Sequence, residues 1–172
     1  FGIVSLLMTF AGWTSAYIVS STREDWLIDF QLPSSFYMST TLIVISSLTY
    51  ILAKKAMKDG KSSLCTTFLI ITLGLGIAFI VFQFLGFSQI VAQGYYFTGE
   101  SSSVTTSYIF LIAVVHIFHV IAGIISLLVV IFNQLKGKYT AQNLLGIELG
   151  ATFWHFLDLL WVYLILFFYL YR

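Results

Sequence analysis

LLGIELGATFWHFLDLLWVYLILFFYLYR, residues 144 to 172, decides how the rest of this chain is read. It is apolar for longer than the ~20 residues a helix needs to cross a bilayer, yet it carries Glu148, His155 and Asp158 within that length. Lipid does not accept such groups cheaply, so they must face protein, headgroups or water. On a helix Glu148, Thr152, His155 and Asp158 follow one another at intervals of 4, 3 and 3, which draws them toward one polar stripe. Any function visible in the sequence should lie along that stripe.

The composition places the whole chain in the same environment. Of its 172 residues 59% are hydrophobic, 18% aromatic and 9% charged, and the mean hydropathy is +0.98. A soluble domain carries roughly 25% charged residues, so this chain cannot cover a water-facing surface. The net charge of +1 supplies no basic field for nucleic acid. Lone Cys65 has neither a disulfide partner nor a metal-ligand companion. The start, where Phe1 opens directly into an apolar run, shows no cleavable signal pattern. Glycine-rich phosphate loops, CxxC and HExxH are all absent, leaving nucleotide binding and zinc hydrolysis without support.

Working back from the closing stretch, the expected fold is all-α: a polytopic bundle of five membrane helices in one domain over 1–172. The spans are 1–20, 35–54, 65–93, 104–132 and 147–171. Connections after spans two and four hold Lys54, Lys55, Lys58, Lys61, Lys136 and Lys138, whereas the other side holds only Arg23 and Arg172 among its basic residues. The lysine-rich side is therefore expected in the cytoplasm, with the N-terminus inside and the C-terminus outside. Glu24, Asp25, Asp29 and Glu100 fall on the outer side, together with Trp26 and Phe30 of an amphipathic connection. The serine run before Val104 is suited to capping span four. Hydroxyl residues through span two (Ser39, Thr40, Thr41, Ser46, Ser47, Thr49) fit close helix packing.

Spans four and five are joined by a short loop and should be antiparallel neighbours, bringing His116 and His119 to the depth of His155 and Asp158. A histidine donating its ring N–H to a carboxylate would satisfy both members of such a set. Glu148 lies lower, within reach of headgroups. Trp154 and Trp161, seven apart, read as packing or interface anchors. The residues alone leave four roles open: a polar network that specifies packing, a lipid-headgroup or partner-subunit site, a redox or metal role for the histidines, and proton transfer. A continuous proton route is poorly served, because spans one and two contain no carboxylate.

Two motifs together are more specific than their parts. HIFHVIAG (His116 to Gly123), followed by GIELGATFWHFLDLLWVYLILFFYLY (Gly146 to Tyr171), closely resembles subunit III of the haem–copper cytochrome c oxidases. The resemblance extends to ITLGLGIAFIVFQFLGF (Ile71 to Phe87) and, more weakly, to Phe36–Tyr50 and Leu6–Tyr17. It covers the last five helices of the seven-helix form, as in short bacterial members of the family.

The resemblance implies a subunit with no catalytic centre, haem or metal of its own, in a complex whose haem a-type and copper centres lie in partner chains. It implies contact with subunit I and other oxidase subunits, structural phospholipid in a cleft, and support of sustained proton uptake and oxygen access. It also implies a bacterial cytoplasmic membrane, and leaves room for a quinol-oxidising complex as a supercomplex partner. Within the family's pattern His116, His119, Glu148, His155 and Asp158 would be lipid-associated or structural polar positions, with Gly123, Trp154 and Trp161 as packing positions. The alternatives are a haem b-binding anchor of a respiratory dehydrogenase and a proton-coupled transporter. Departures from the pattern fall at Leu6, where the family carries a buried glutamate, at Gln83 to Gly86, and at Asn143 and Leu144, where histidines are usual.

Overall fold

A computed structural model describes residues 2–24, 26–27, 31–99 and 102–171. Asp25, Asp29, Phe30, Glu100 and Arg172, which enter the charge and interface expectations, lie outside the described residues. Five helices follow in order: α1 (Gly2–Ser20), α2 (Ser34–Lys58), α3 (Ser62–Ala92), α4 (Val104–Leu135) and α5 (Leu145–Leu170). Each is long and apolar enough to cross a membrane. The 31 residues of α3 rise to about 46 Å, against a hydrocarbon core of ~30 Å. Several helices outrun their apolar stretches: α2 reaches Lys58, α3 begins at Ser62 and α4 ends at Leu135. Backbone hydrogen bonding continues where side chains turn polar, so hydropathy alone underestimates helix length.

The helix ends are written locally. Ser103 precedes α4 and its hydroxyl accepts from the Thr106 N–H at 3.1 Å, half of a capping box that Thr106 completes. Pro33 stands just before α2 and supplies an extended φ, ψ of −55° and 139°. At the opposite ends of α2 and α4, Gly60 and Gly137 take φ of 73° and 68°, the left-handed conformation that lets each chain turn back. Both glycines sit in the lysine-bearing turns.

The helices close into a ring. α2 packs extensively on α3, α3 on α4, α4 on α5 and α5 back on α2, while α1 touches α4 and α5. Two clusters fill the interior. One joins Phe10, Tyr17, Phe36, Phe79, Trp161 and Phe168; the other, toward the lysine-bearing end, joins Tyr50, Leu69, Leu127, Ile147 and Trp154. Large exposed residues such as Leu48, Ile77, Phe84, Phe118 and Leu159 coat the outside. A water-soluble protein would bury these. Around a membrane bundle they meet lipid tails or partner helices, where apolar surface costs nothing.

Candidate functional site: the seam between α2 and α5

Thr40, Ser47 and Lys54 follow one another at seven-residue intervals along α2, the repeat that keeps one face against an antiparallel neighbour. Each meets a polar group of α5. Trp161 donates its indole N–H to Thr40 at 3.0 Å, His155 Nδ1 and the Ser47 hydroxyl share a hydrogen bond of 2.5 Å, and Lys54 Nζ lies 3.1 Å from Glu148. Between these rungs Trp154 donates to Ser46 at 2.9 Å. Hydroxyls of α2 reach α3 as well: Gln83 donates to Ser39 at 2.9 Å, and Thr49 and Thr72 lie 2.8 Å apart. In hydrocarbon such bonds have little water to compete with, and only the matched register satisfies them.

Trp154 is the wedge of the bundle. A Cβ at Gly76 would stand 2.7 Å from its ring, and one at Gly123 would stand 2.9 Å from Leu157 and 3.5 Å from Trp154. α3 and α4 therefore approach α5 over glycine, at Gly76 and at Gly123. Gly150 does the same for Tyr50, whose hydroxyl would lie 2.5 Å from an added Cβ.

The polar residues expected to share one stripe are divided between environments. Glu148 is about two-fifths exposed and lies 3.1 Å from Lys54 and 3.8 Å from Lys58. Thr152 is exposed and returns its hydroxyl hydrogen to the Glu148 carbonyl. His155 is half-buried, whereas Asp158 is buried. The three-residue steps carry the stripe round the helix, so it begins at the surface and ends inside the bundle. His155 and Asp158 accordingly make no hydrogen bond with each other; the imidazole turns to Ser47. Neither carboxylate oxygen of Asp158 has a hydrogen-bond partner.

The histidines of α4 are separate from this seam. His116 is buried, stacked on Trp161 at 5.2 Å between ring centroids, with Phe10 and Phe79 at its edges. His119 is partly buried, lies against Phe10 and donates Nδ1–H to the Val115 carbonyl at 2.7 Å. Shared depth therefore brings His116 to α5 through an aromatic face rather than through a carboxylate. Among the described residues no three His, Cys, Asp or Glu side chains converge as metal ligands would.

The hydroxyls of α2 were read as packing residues, and their pairing with Trp161, His155 and Trp154 of α5 was not foreseen. Ser and Thr in a membrane helix can bond their own backbone, and Thr41 does so with the Tyr37 carbonyl. The usable signal was the interval of seven between Thr40, Ser47 and Lys54, set against Glu148, His155 and Trp161 at intervals of seven and six on the closing helix.

The sequence model of the family "Cytochrome c oxidase subunit III" matches residues 27–172. A cytochrome bo(3) ubiquinol oxidase subunit 3 from Pseudomonas aeruginosa is 33% identical over 133 residues, covering 77% of this chain and 62% of that protein. A cytochrome c oxidase subunit 3 from Alkalihalophilus pseudofirmus is 31% identical over 128 residues, covering 74% and 61%. The mouse cytochrome c oxidase subunit 3 is 30% identical over 129 residues, covering 74% and 46%. These matched stretches span roughly half to three-fifths of the relatives' length. With five membrane helices in place and most of its length matched, the chain belongs to the cytochrome c oxidase subunit III family.

Proposed function

We propose that this chain is a non-catalytic integral subunit of a proton-pumping haem–copper terminal oxidase. It stands against subunit I in a bacterial cytoplasmic membrane, with its lysine-bearing side in the cytoplasm. It holds structural phospholipid and supports sustained proton uptake and oxygen access, while haem a-type and copper centres in partner subunits perform the chemistry. The observation that carries this reading is the use made of the intramembrane polar groups. Trp154, Trp161, His155 and Glu148 are engaged in joining α5 to α2, and His119 is engaged with its own backbone. Trp154, Trp161, His155 and Glu148 thus serve in joining helices, the use expected of structural polar positions in a membrane bundle.

Cytochrome c is the electron donor of the proposed complex. One relative's name specifies a ubiquinol oxidase, so the donor assay is run with both reductants. The chain, tagged and purified from native membranes under mild detergent, should bring down oxidase subunits, oxidase haem spectra and oxygen reduction driven by reduced cytochrome c. Oxygen reduction driven only by ubiquinol would replace the donor and keep the supporting role. Stoichiometric haem held by this polypeptide alone would replace the reading with a dehydrogenase anchor. Substrate-coupled proton flux in vesicles containing only this chain would replace it with a transporter.

A further inference from the structure

Beside the Lys54–Glu148 pair lies a cavity of about 480 Å3, walled by Lys54, Lys55, Lys58, Thr152 and His155 together with Ile51 and Ala151. It gathers three cations beside one carboxylate. Glu148 lies 3.1 Å from Lys54 and 3.8 Å from Lys58, while Lys55 is exposed with no ion pair among the described residues. The remaining described acids leave it uncovered. Asp59 follows α2 without an ion pair among the described residues, Glu24 precedes α2 at its opposite end, and Asp158 is buried within the bundle. An anion brought against Lys55 therefore comes from outside these residues.

The walls select the kind of anion. Glu148 shows that a side-chain carboxylate fits the spacing of Lys54 and Lys58. From Ile51 to Lys58 the helix rises about 10 Å, the length of roughly three residues of extended chain. His155 shares Nδ1 with Ser47 and keeps Nε2 as the second polar atom of its ring. The apolar part of the wall is confined to Ile51 and Ala151, which offers little surface to a long hydrocarbon chain. A separate cavity between α1 and α5, of about 450 Å3 and bounded on one side by Leu7, Phe10 and Ala11, shares no lining residue with it.

We infer that the lysine cavity between α2 and α5 is a docking site for an acidic polypeptide segment of a neighbouring oxidase subunit, which sets one or two carboxylates against Lys55 and Lys58. The inference rests on the subunit reading proposed above and adds to it a place and a chemistry of contact. Charge complementarity selects the partner: three ammonium groups beside a single carboxylate favour added negative charge and oppose a basic or neutral surface. The shortness of the cavity and its scant apolar wall favour a peptide side chain over a lipid.

The test joins carboxylates to amines with a water-soluble carbodiimide in native membranes, then purifies the complex through a tag on this chain and maps the joined peptides by mass spectrometry. An amide forms between lysine Nζ and the carboxyl carbon, and the displaced carboxyl oxygen leaves in the urea. Lys54 and Glu148, 3.1 Å apart, should couple within the chain and show that the reagent reaches the cavity. Lys55 should couple to an aspartate or glutamate of another oxidase subunit. Lys55→Arg should abolish that amide yet keep the same subunit in the complex, because a guanidinium still pairs with a carboxylate. The triple variant Lys54→Gln, Lys55→Gln, Lys58→Gln should lower retention of that subunit about fivefold at low salt. Raising the ionic strength should bring the parent down toward the variant. Lys136→Gln with Lys138→Gln should leave coupling and retention unchanged. Internal coupling of Lys54 without an amide from Lys55 to another subunit, undiminished retention in the triple variant, or lysine-dependent retention of an anionic phospholipid in place of a polypeptide would overturn the inference. A complex that holds every oxidase subunit but no Lys55 amide would overturn this inference alone, whereas a purified chain without oxidase subunits would overturn the subunit reading and this partner with it.

Discussion

The seam between α2 and α5 and the seam that holds α1 are built from similar residues and differ in how they are fastened. Along the first, cross-helix polar contacts recur from Trp161–Thr40 down to Glu148–Lys54. Twelve of the 26 residues of α5 are buried. Along the second, three of the 19 residues of α1 are buried, namely Phe10, Thr14 and Tyr17. Its attachments are aromatic edges around Tyr17 and hydroxyl contacts of Thr14 with Tyr163 and of Ser20 with Tyr108. Between helices in lipid the hydrophobic effect supplies no pull, so buried contact and hydrogen-bond register decide which helices hold and which loosen. α2 through α5 form the closely packed part, and α1 is a satellite that bounds a groove.

The difference can be broken from its strong side. Trp154→Ala removes the wedge shared by α3, α4 and α5 and one cross-helix bond, and should cost about 3 kcal/mol in reversible unfolding from mixed micelles. Gly76→Leu pushes α3 away from the same ring and should cost about 2 kcal/mol. Gly74→Leu serves as its control, because nothing lies within 4 Å of a Cβ there; it should unfold like the parent. Ser47→Ala removes the acceptor or donor of His155 and should cost about 0.6 kcal/mol, the usual worth of an interhelical bond in lipid. Lys54→Gln should cost about 0.5 kcal/mol at low salt and less as ionic strength rises, since this pair is partly exposed.

The satellite sharpens the contrast in the other direction. Thr14→Val should leave the midpoint of global unfolding within about 0.3 kcal/mol of the parent while raising hydrogen exchange along α1, because that helix can detach before the rest unfolds. A shift as large as that of Trp154→Ala would show α1 to be an integral part of the bundle.

The number and order of the helices were legible because apolar runs of spanning length, separated by polar turns, admit few alternatives. The lysine distribution gave an expected orientation in the same way. Within the site, Trp154 and Trp161, seven apart, read as packing or interface anchors, and Gly123 entered as a packing position only through the family resemblance. The His155–Asp158 pair was not legible. Proximity in sequence suggested a local bond, whereas the register against α2 placed Ser47 beside the imidazole and turned Asp158 inward. Glu148 was assigned to headgroups, and its nearest cations proved to be Lys54 and Lys58 on the neighbouring helix. Partners across a seam depend on helix rotation and stagger, which periodicity within one helix does not fix. A second heptad pattern on α2 carried that information once the two helices could be aligned.

The claim that the chain braces an oxidase rather than taking part in its chemistry is tested most directly by following oxygen consumption of the purified complex over many turnovers. The parent would be compared with His155→Leu, after assembly of both has been checked by subunit stoichiometry. The expected result is the same initial turnover rate and a shorter catalytic lifetime for the variant. Normal assembly with electron transfer abolished from the first turnover would contradict it.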